Sequence, residues 1–312
     1  MTGATRSVRF VDASTLRRAL PVAAAIDALQ QAFGDEPLPE APHRSHLETP
    51  EGTLLLMPAT GAAGTGVKLV AVNPGNPGRG LPLVQGLYML FAPETLEPEA
   101  VIDGAELTAL RTSALSGLAT RLLARPDATR LAIFGAGTQG NAHLDAMRAV
   151  RPIERLWVVS RTEQRAAALV ARARSVGIDA QIAGPGSLAD ADLVCTCTTS
   201  DRPLFAGAAL ADGAHVNAVG AYRPDARELD TAAVVRAKVV VETREAALAE
   251  AGDLLIPIGE GAIAADHVVA DLRDVVRGMP VRSGPHDVTL FKSVGVAFED
   301  LAVARAAVDR LG

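Results

Sequence analysis

From about residue 129 the chain alternates short apolar runs with stretches in which apolar residues recur every three to four positions. The runs lie at 131–134, 156–159, 193–197, 216–219 and 239–241, and the helical periodicity occupies 138–149 and 162–175. That alternation predicts an α/β unit built on a doubly wound parallel sheet. The first hundred residues follow a different pattern. Helical stretches near 13–33 precede strand-like runs at 52–57, 67–72 and 83–91, separated by turns such as Asn73-Pro-Gly-Asn-Pro-Gly. They predict a separate α+β unit.

Between the two patterns, Asp103 is placed to cap a helix and Glu106, three residues on, to answer it as a capping box. The helix runs to about Ala124 with an apolar stripe at Leu107, Leu110, Ala114 and Leu118, and Pro126 ends it. After the last element of the α/β unit come Val288-Thr-Leu-Phe-Lys, Ser293 as N-cap, and a closing helix through about Arg310 that is expected to return to the first unit. The predicted division is 1–118, completed by 294–312, and 119–293.

Composition narrows the function classes. A chain of 312 residues with 49% hydrophobic and 21% charged positions, and with 28 Gly and 19 Pro in no repeat, is globular rather than disordered or fibrous. Seven Phe, two Tyr and one Trp are too few for a base-stacking platform. With 30 basic against 36 acidic residues and no basic cluster, nucleic acid is not an expected partner. The N-terminal segment lacks the apolar core of a signal peptide, and the longest apolar stretch, 81–93, is interrupted and too short for a bilayer. No membrane association and a cytoplasmic location are expected. Cys195 and Cys197 fall on one strand face, poorly placed to bridge each other and too few for zinc, and read as small buried hydrophobes. No metal is expected, and the scattered histidines read as structural or exposed.

The strongest local signal is Leu131-Ala-Ile-Phe-Gly-Ala-Gly-Thr-Gln-Gly, an apolar strand entering G-x-G-x-x-G and then a helix. Gly135 permits the turn, Gly137 lets a pyrophosphate approach the backbone, and Gly140 allows close helix packing; Thr138 and Gln139 complete the turn. This is the dinucleotide site of a Rossmann-type domain. After the second strand stand Ser160, Arg161 and Thr162, where an NAD site normally presents an acid to the ribose. These residues suit a 2′-phosphate, so NADP(H) is predicted over NAD(H), although a solvated Arg opening the next helix gives the same text.

Several segments, in order across nearly the whole chain, resemble the ornithine cyclodeaminase/mu-crystallin family. They are Gly66-Val-Lys-Leu-Val, Asp103 to Ala114 with Leu-Arg-Thr-Ser-Ala, the glycine turn, His215-Val-Asn-Ala-Val-Gly-Ala, Arg223-Pro-Asp-Ala-Arg-Glu-Leu-Asp, Glu245-Ala-Ala-Leu-Ala-Glu-Ala-Gly-Asp, and Phe291-Lys-Ser-Val-Gly with Glu299-Asp300. The resemblance implies a homodimer whose subunits combine a substrate-binding and dimerisation domain with a Rossmann domain, the active site lying in the cleft between them. It further implies that Arg44, Lys68 and Arg111 hold a substrate carboxylate, and that Lys292, Ser293 and Val294 lie near the nicotinamide. Taken alone, Lys68 also fits an edge-strand gatekeeper, Arg111 a snorkelling helix residue and Arg44 an ordinary loop residue.

One position departs from the pattern. Cyclodeaminases of the family carry an acid two residues after the glycine equivalent to Gly220, and here that residue is Tyr222. Asp225 is a nearby candidate base, but Pro224-Asp225 with Glu228 also reads as a helix cap and its box partner. The segment is more similar to the mu-crystallin branch, which implies NAD(P)H-dependent reduction of a cyclic ketimine carboxylate, pyrroline- or piperideine-2-carboxylate, with Lys68 as proton donor or electrostatic relay. Ornithine cyclodeamination, oxidation of a small amino acid, and non-catalytic binding of NADPH with a small carboxylate are the alternatives.

Overall fold

The structure is a computed structural model that describes residues 8–312, the side chain of Pro185 excepted. Residues 1–7, part of the segment read above for a targeting signal, lie outside the described residues. The chain forms two units, one of residues up to Arg111 with Val296–Gly312, the other of Thr112–Gly295. These breaks differ by seven and two residues from the predicted 118/119 and 293/294. The first falls inside a continuous helix, where no turn or composition change marks it.

The first unit holds β1 (Arg9–Val11), α1 (Ala13–Ala19), α2 (Val22–Gly34), β2 (Ser45–Thr49), β3 (Gly52–Gly61), β4 (Gly64–Val72), β5 (Val84–Phe91), β6 (Pro98–Asp103), the start of α3 (Gly104–Leu123) and the closing helix Ala297–Asp309. Asp12 caps α1 by accepting from the Thr15 N–H at 2.7 Å. The strands form one sheet in the order β1-β6-β5-β4-β3-β2, antiparallel except for β1 with β6. Side chains alternate between its faces. Leu55, Met57, Val70, Tyr88, Leu90 and Ile102 share the inner face and are buried. The closing helix covers that face and α2 packs on the closing helix, with Phe33 and Phe298 in edge-to-face contact at 4.9 Å. The other face carries Phe10, Leu47, Leu69 and Leu87, of which Phe10, Leu47 and Leu87 are exposed.

Two capping expectations are corrected. Asp103 does accept from the Glu106 N–H at 2.9 Å, but the Glu106 carboxylate turns to Arg17 instead of closing a box. Ser293 does not cap the closing helix, whose N-cap is Val296, because its hydroxyl donates to Glu242. The amphipathic stripe expected of α3 holds only near its start, since from Arg111 to Thr120 the helix is buried all round.

The second unit continues from α3 through β7 (Arg130–Phe134), α4 (Thr138–Val150), β8 (Arg155–Val159), α5 (Glu163–Ser175), β9 (Asp179–Ile182), β10 (Leu193–Thr196), β11 (His215–Ala218), α6 (Thr231–Arg236), β12 (Ala237–Val241), α7 (Arg244–Glu250), α8 (Gly252–Gly259), β13 (Val268–Asp271), α9 (Leu272–Val276) and β14 (Val288–Lys292). Its eight parallel strands run β13-β12-β14-β11-β10-β7-β8-β9. The order reverses between β7 and β10, the switch point at which doubly wound sheets bind their ligands. β14, read from sequence as following the last element of the α/β unit, is inserted between β11 and β12 and is buried along its whole length. Among the described residues no helix is long and apolar enough to cross a membrane.

Candidate active site

Lys68 sits mid-sheet on β4, paired across strands with Met57 on β3 and Tyr88 on β5, and its side chain points inward at 1% exposure. A lysine flanked by strands on both sides is no edge gatekeeper. Its ammonium donates to Asp300 Oδ2 at 2.6 Å, the only partner it has among the described residues. Two of its three N–H bonds are therefore left for another acceptor. Burial pulls its pKa down to about 8; the Asp300 carboxylate opposes the fall, and Arg111 and Arg44 add to it.

Arg111 on α3 is buried rather than snorkelling. Its Nη1 bonds Glu299 Oε2 at 2.9 Å and its Nε stands 3.4 Å from Asp300 Oδ1. Arg44, in the segment just ahead of β2, is half-buried and close enough for its charge to act on Lys68. The three predicted cations are thus brought together within the first unit. The residues that hold two of them, Glu299 and Asp300 in the first turn of the closing helix, had no assigned role in the sequence. The available signal was a pair of acids entering an apolar helix, which also describes ordinary N-terminal helix acids.

The glycine turn of the second unit has the geometry a dinucleotide needs. Gly135 has φ +99°, a left-handed conformation open to glycine. A Cβ on Gly140 would meet the Gly135 carbonyl oxygen at 1.9 Å, so this glycine is what lets α4 close on β7. A Cβ on Gly137 would meet nothing within 4 Å, and Gly137 is the N-cap of α4 with no side-chain cap. Thr138 and Gln139 open α4, whose N-terminus faces this cradle with the positive end of its dipole. The residues present fit a pyrophosphate.

At the end of β8, Arg161 and Thr162 are exposed, and Ser160 Oγ accepts from the Thr162 N–H at 3.2 Å. Lys292 is fully buried, 2.9 Å from Asp253 Oδ2, and donates to the Ala221 carbonyl at 2.5 Å. Ser293 donates to Glu242 Oε1, and the Val294 N–H to Glu242 Oε2 at 2.9 Å. These side chains fix the strand end from within the unit. Asp253 closes a segment quoted for the family resemblance but had no assigned role, and Glu242 was not singled out in the sequence.

The Asp225–Glu228 capping box does not form. Asp225 is exposed and bonds Arg223 at 2.9 and 3.0 Å, and α6 is capped instead by Asp230. Glu228 is fully buried and accepts from the Thr196 and Thr198 hydroxyls and from the Thr198 and Gly220 N–H groups. It ties together the ends of β10 and β11, and burial raises its pKa. Tyr222, in the loop between, is 37% exposed. Cys195 and Cys197 are unbridged, and burial pushes the Cys195 thiol up to about 12. His143 lies in the core, bonded to Gln139 O and Ser116 Oγ, and burial holds its pKa near 4.

Fold and site define a nicotinamide-dinucleotide-binding α/β protein with a buried cation cluster. The profile of the ornithine cyclodeaminase/mu-crystallin family matches residues 9–312, and the chain belongs to that family. A Δ1-pyrroline-2-carboxylate reductase from Bacillus cereus is 39% identical over 262 residues, 82% of this chain and 80% of its own length. The structure of Thermococcus litoralis Δ1-pyrroline-2-carboxylate reductase, in complex with NADH and L-proline, matches at TM-score 0.93 and 33% identity over 97% of each chain. An archaeal alanine dehydrogenase dimer with bound NAD matches at TM-score 0.92 and 31% identity, over 97% of this chain and 95% of that one.

Proposed function

We propose that this protein is an NAD(P)H-dependent imine reductase acting on a cyclic ketimine carboxylate, pyrroline-2-carboxylate or piperideine-2-carboxylate. The observation that carries the reading is the Lys68 ammonium, buried mid-sheet beside two arginines with two N–H bonds available. A charge-assisted hydrogen bond to a carboxylate contributes about 1.5–3 kcal/mol, so Arg44, Lys68 and Arg111 together suffice to hold one imino acid. The nicotinamide, when bound, supplies the hydride for the imine carbon. Lys68 delivers the proton to the imine nitrogen and is reprotonated from solvent. A pKa near 8 keeps it charged yet able to release a proton at neutral pH.

Ser160, Arg161 and Thr162 favour NADP(H), because all three can bond a 2′-phosphate and no acid stands there to bind a 2′-hydroxyl. The similarity to an alanine dehydrogenase supports a second reading, in which the imine is the open-chain one formed from a keto acid and ammonia. Tyr222 in place of an acid argues against ornithine cyclodeamination. A homodimer is proposed from the apolar outer face of the six-stranded sheet, where Phe10 is 64% and Leu47 55% exposed.

The test is NADPH oxidation with pyrroline- and piperideine-2-carboxylate, with ammonia release from ornithine assayed in parallel. Lys68→Met is expected to keep NADPH affinity and lose turnover by about 10²–10⁴-fold. Unchanged turnover contradicts the role of Lys68. NADPH binding without turnover across the panel replaces the enzyme by a binding protein.

A further inference from the structure

Lys68 and Arg111 come from different elements, β4 and α3, and a single carboxylate spans them. Asp300 Oδ2 takes the ammonium at 2.6 Å while Oδ1 stands 3.4 Å from Arg111 Nε. Glu299 holds Arg111 from the other side at 2.9 Å. Both acids are fully buried. They occupy the third and fourth positions of the closing helix, where its N-terminal dipole favours negative charge.

Four buried charges are a poor way to stabilise a core, since apolar residues of the same volume commonly do as well or better. Removing one partner, by contrast, leaves an uncompensated charge. The arrangement is therefore better explained by what it holds in place than by stability. The groups facing Lys68 are Met57 from β3, Tyr88 from β5, Arg111 from α3, Arg44 from the segment before β2, and Asp300 from the closing helix. The two arginines repel its charge, and Asp300 is the anion in contact with it.

We propose that Asp300 is the positioning residue of the reduction, setting the separation of Lys68 Nζ and the Arg111 guanidinium, while Glu299 braces Arg111. This inference rests on reading Lys68 as the proton donor. Its consequence is that neutralising Asp300 removes the one anion in contact with the ammonium while Arg111 and Arg44 stay beside it, so that Lys68 gives up its proton at lower pH. Neutralising Glu299 loosens the carboxylate clamp without touching Lys68.

Three variants test it, with NADPH and pyrroline-2-carboxylate at saturation and, separately, with NMR titration of the Lys68 ammonium in the full-length protein. Asp300→Asn is expected to move the alkaline limb of kcat down by about one pH unit or more, and the Lys68 titration with it. In a Lys68→Met background it should cause no further loss. Glu299→Gln is expected to raise KM and leave the limb in place. Asp300→Glu keeps the charge but shifts it by one methylene, so the limb should stay while kcat falls; this variant also decides the matter should Asp300→Asn not fold. An unmoved limb and an unmoved Lys68 titration in Asp300→Asn overturn the proposal, as does wild-type kcat in Asp300→Glu. A wild-type protein that reduces no imine while Asp300→Asn still shifts the Lys68 titration refutes the reaction and leaves the positioning intact.

Discussion

At the residue scale, chemistry follows from where the fold places a few side chains. Lys68 is a lysine in an apolar strand, and only the strand order shows that it lies mid-sheet on the inner face. Arg161 gives a sharp test of cofactor choice. Arg161→Asp is expected to weaken NADPH by about tenfold or more and NADH far less, measured by fluorescence titration. Equal losses remove the assignment. Gly140 is the complementary case. Alanine usually stabilises a helix relative to glycine, but here its Cβ would sit 1.9 Å from the Gly135 carbonyl. Gly140→Ala is expected to destabilise the protein by about 1–3 kcal/mol in a denaturant titration and to lower dinucleotide affinity.

At the element scale, what was legible in the sequence was what local pattern determines. The apolar runs of β7, β8, β10, β11 and β12 and the helices α4 and α5 could be read directly, because fully buried strands carry unbroken apolar text. β9 and β13, the two outermost strands of the sheet, were not read: β9 (Asp179-Ala-Gln-Ile) has no apolar run, and β13 offers only Val268-Val-Ala before an acid. The insertion of β14 between β11 and β12 is a long-range pairing that no local spacing encodes. The same holds for the site. The glycine turn is local and was legible, whereas Asp300 reaches Lys68 across 232 positions of chain.

Helix α4 also carries a pH-dependent element. His143 is buried with a pKa near 4, below its unfolded value of about 6.5. The unfolded chain therefore binds the extra proton first. Its stability contribution is complete above pH 6.5 and is lost as pH falls towards 4, by about 3 kcal/mol in all. Replacing His143 with Gln should flatten this part of the stability profile, followed by denaturant melts at successive pH values. An unchanged slope contradicts the assignment. Arg151 supports the end of α3 by donating to the Thr120, Ala124 and Arg125 carbonyls at 2.9–3.0 Å, satisfying acceptors that a helix end otherwise leaves unpaired.

At the scale of the whole molecule, the α+β unit completed by the closing helix presents one sheet face to its own core and leaves the other apolar and open. A monomer in water rarely keeps such a face. Leu87→Lys, placed opposite Leu69 on that face, is expected to shift the protein from dimer to monomer in light scattering while NADPH binding is kept. A wild-type monomer removes the dimer.

The central proposal is that Arg44, Lys68 and Arg111 hold an imino-acid carboxylate for reduction by a nicotinamide dinucleotide. Its most direct test is transfer of deuterium from [4,4-²H₂]NADPH to product. With both C4 hydrogens of the cofactor labelled, the account predicts that pyrroline-2-carboxylate yields proline carrying one deuterium at C2 per cofactor oxidised, and that Lys68→Met and Arg111→Met abolish the transfer while both still bind NADPH. Deuterium transfer that survives both substitutions contradicts it.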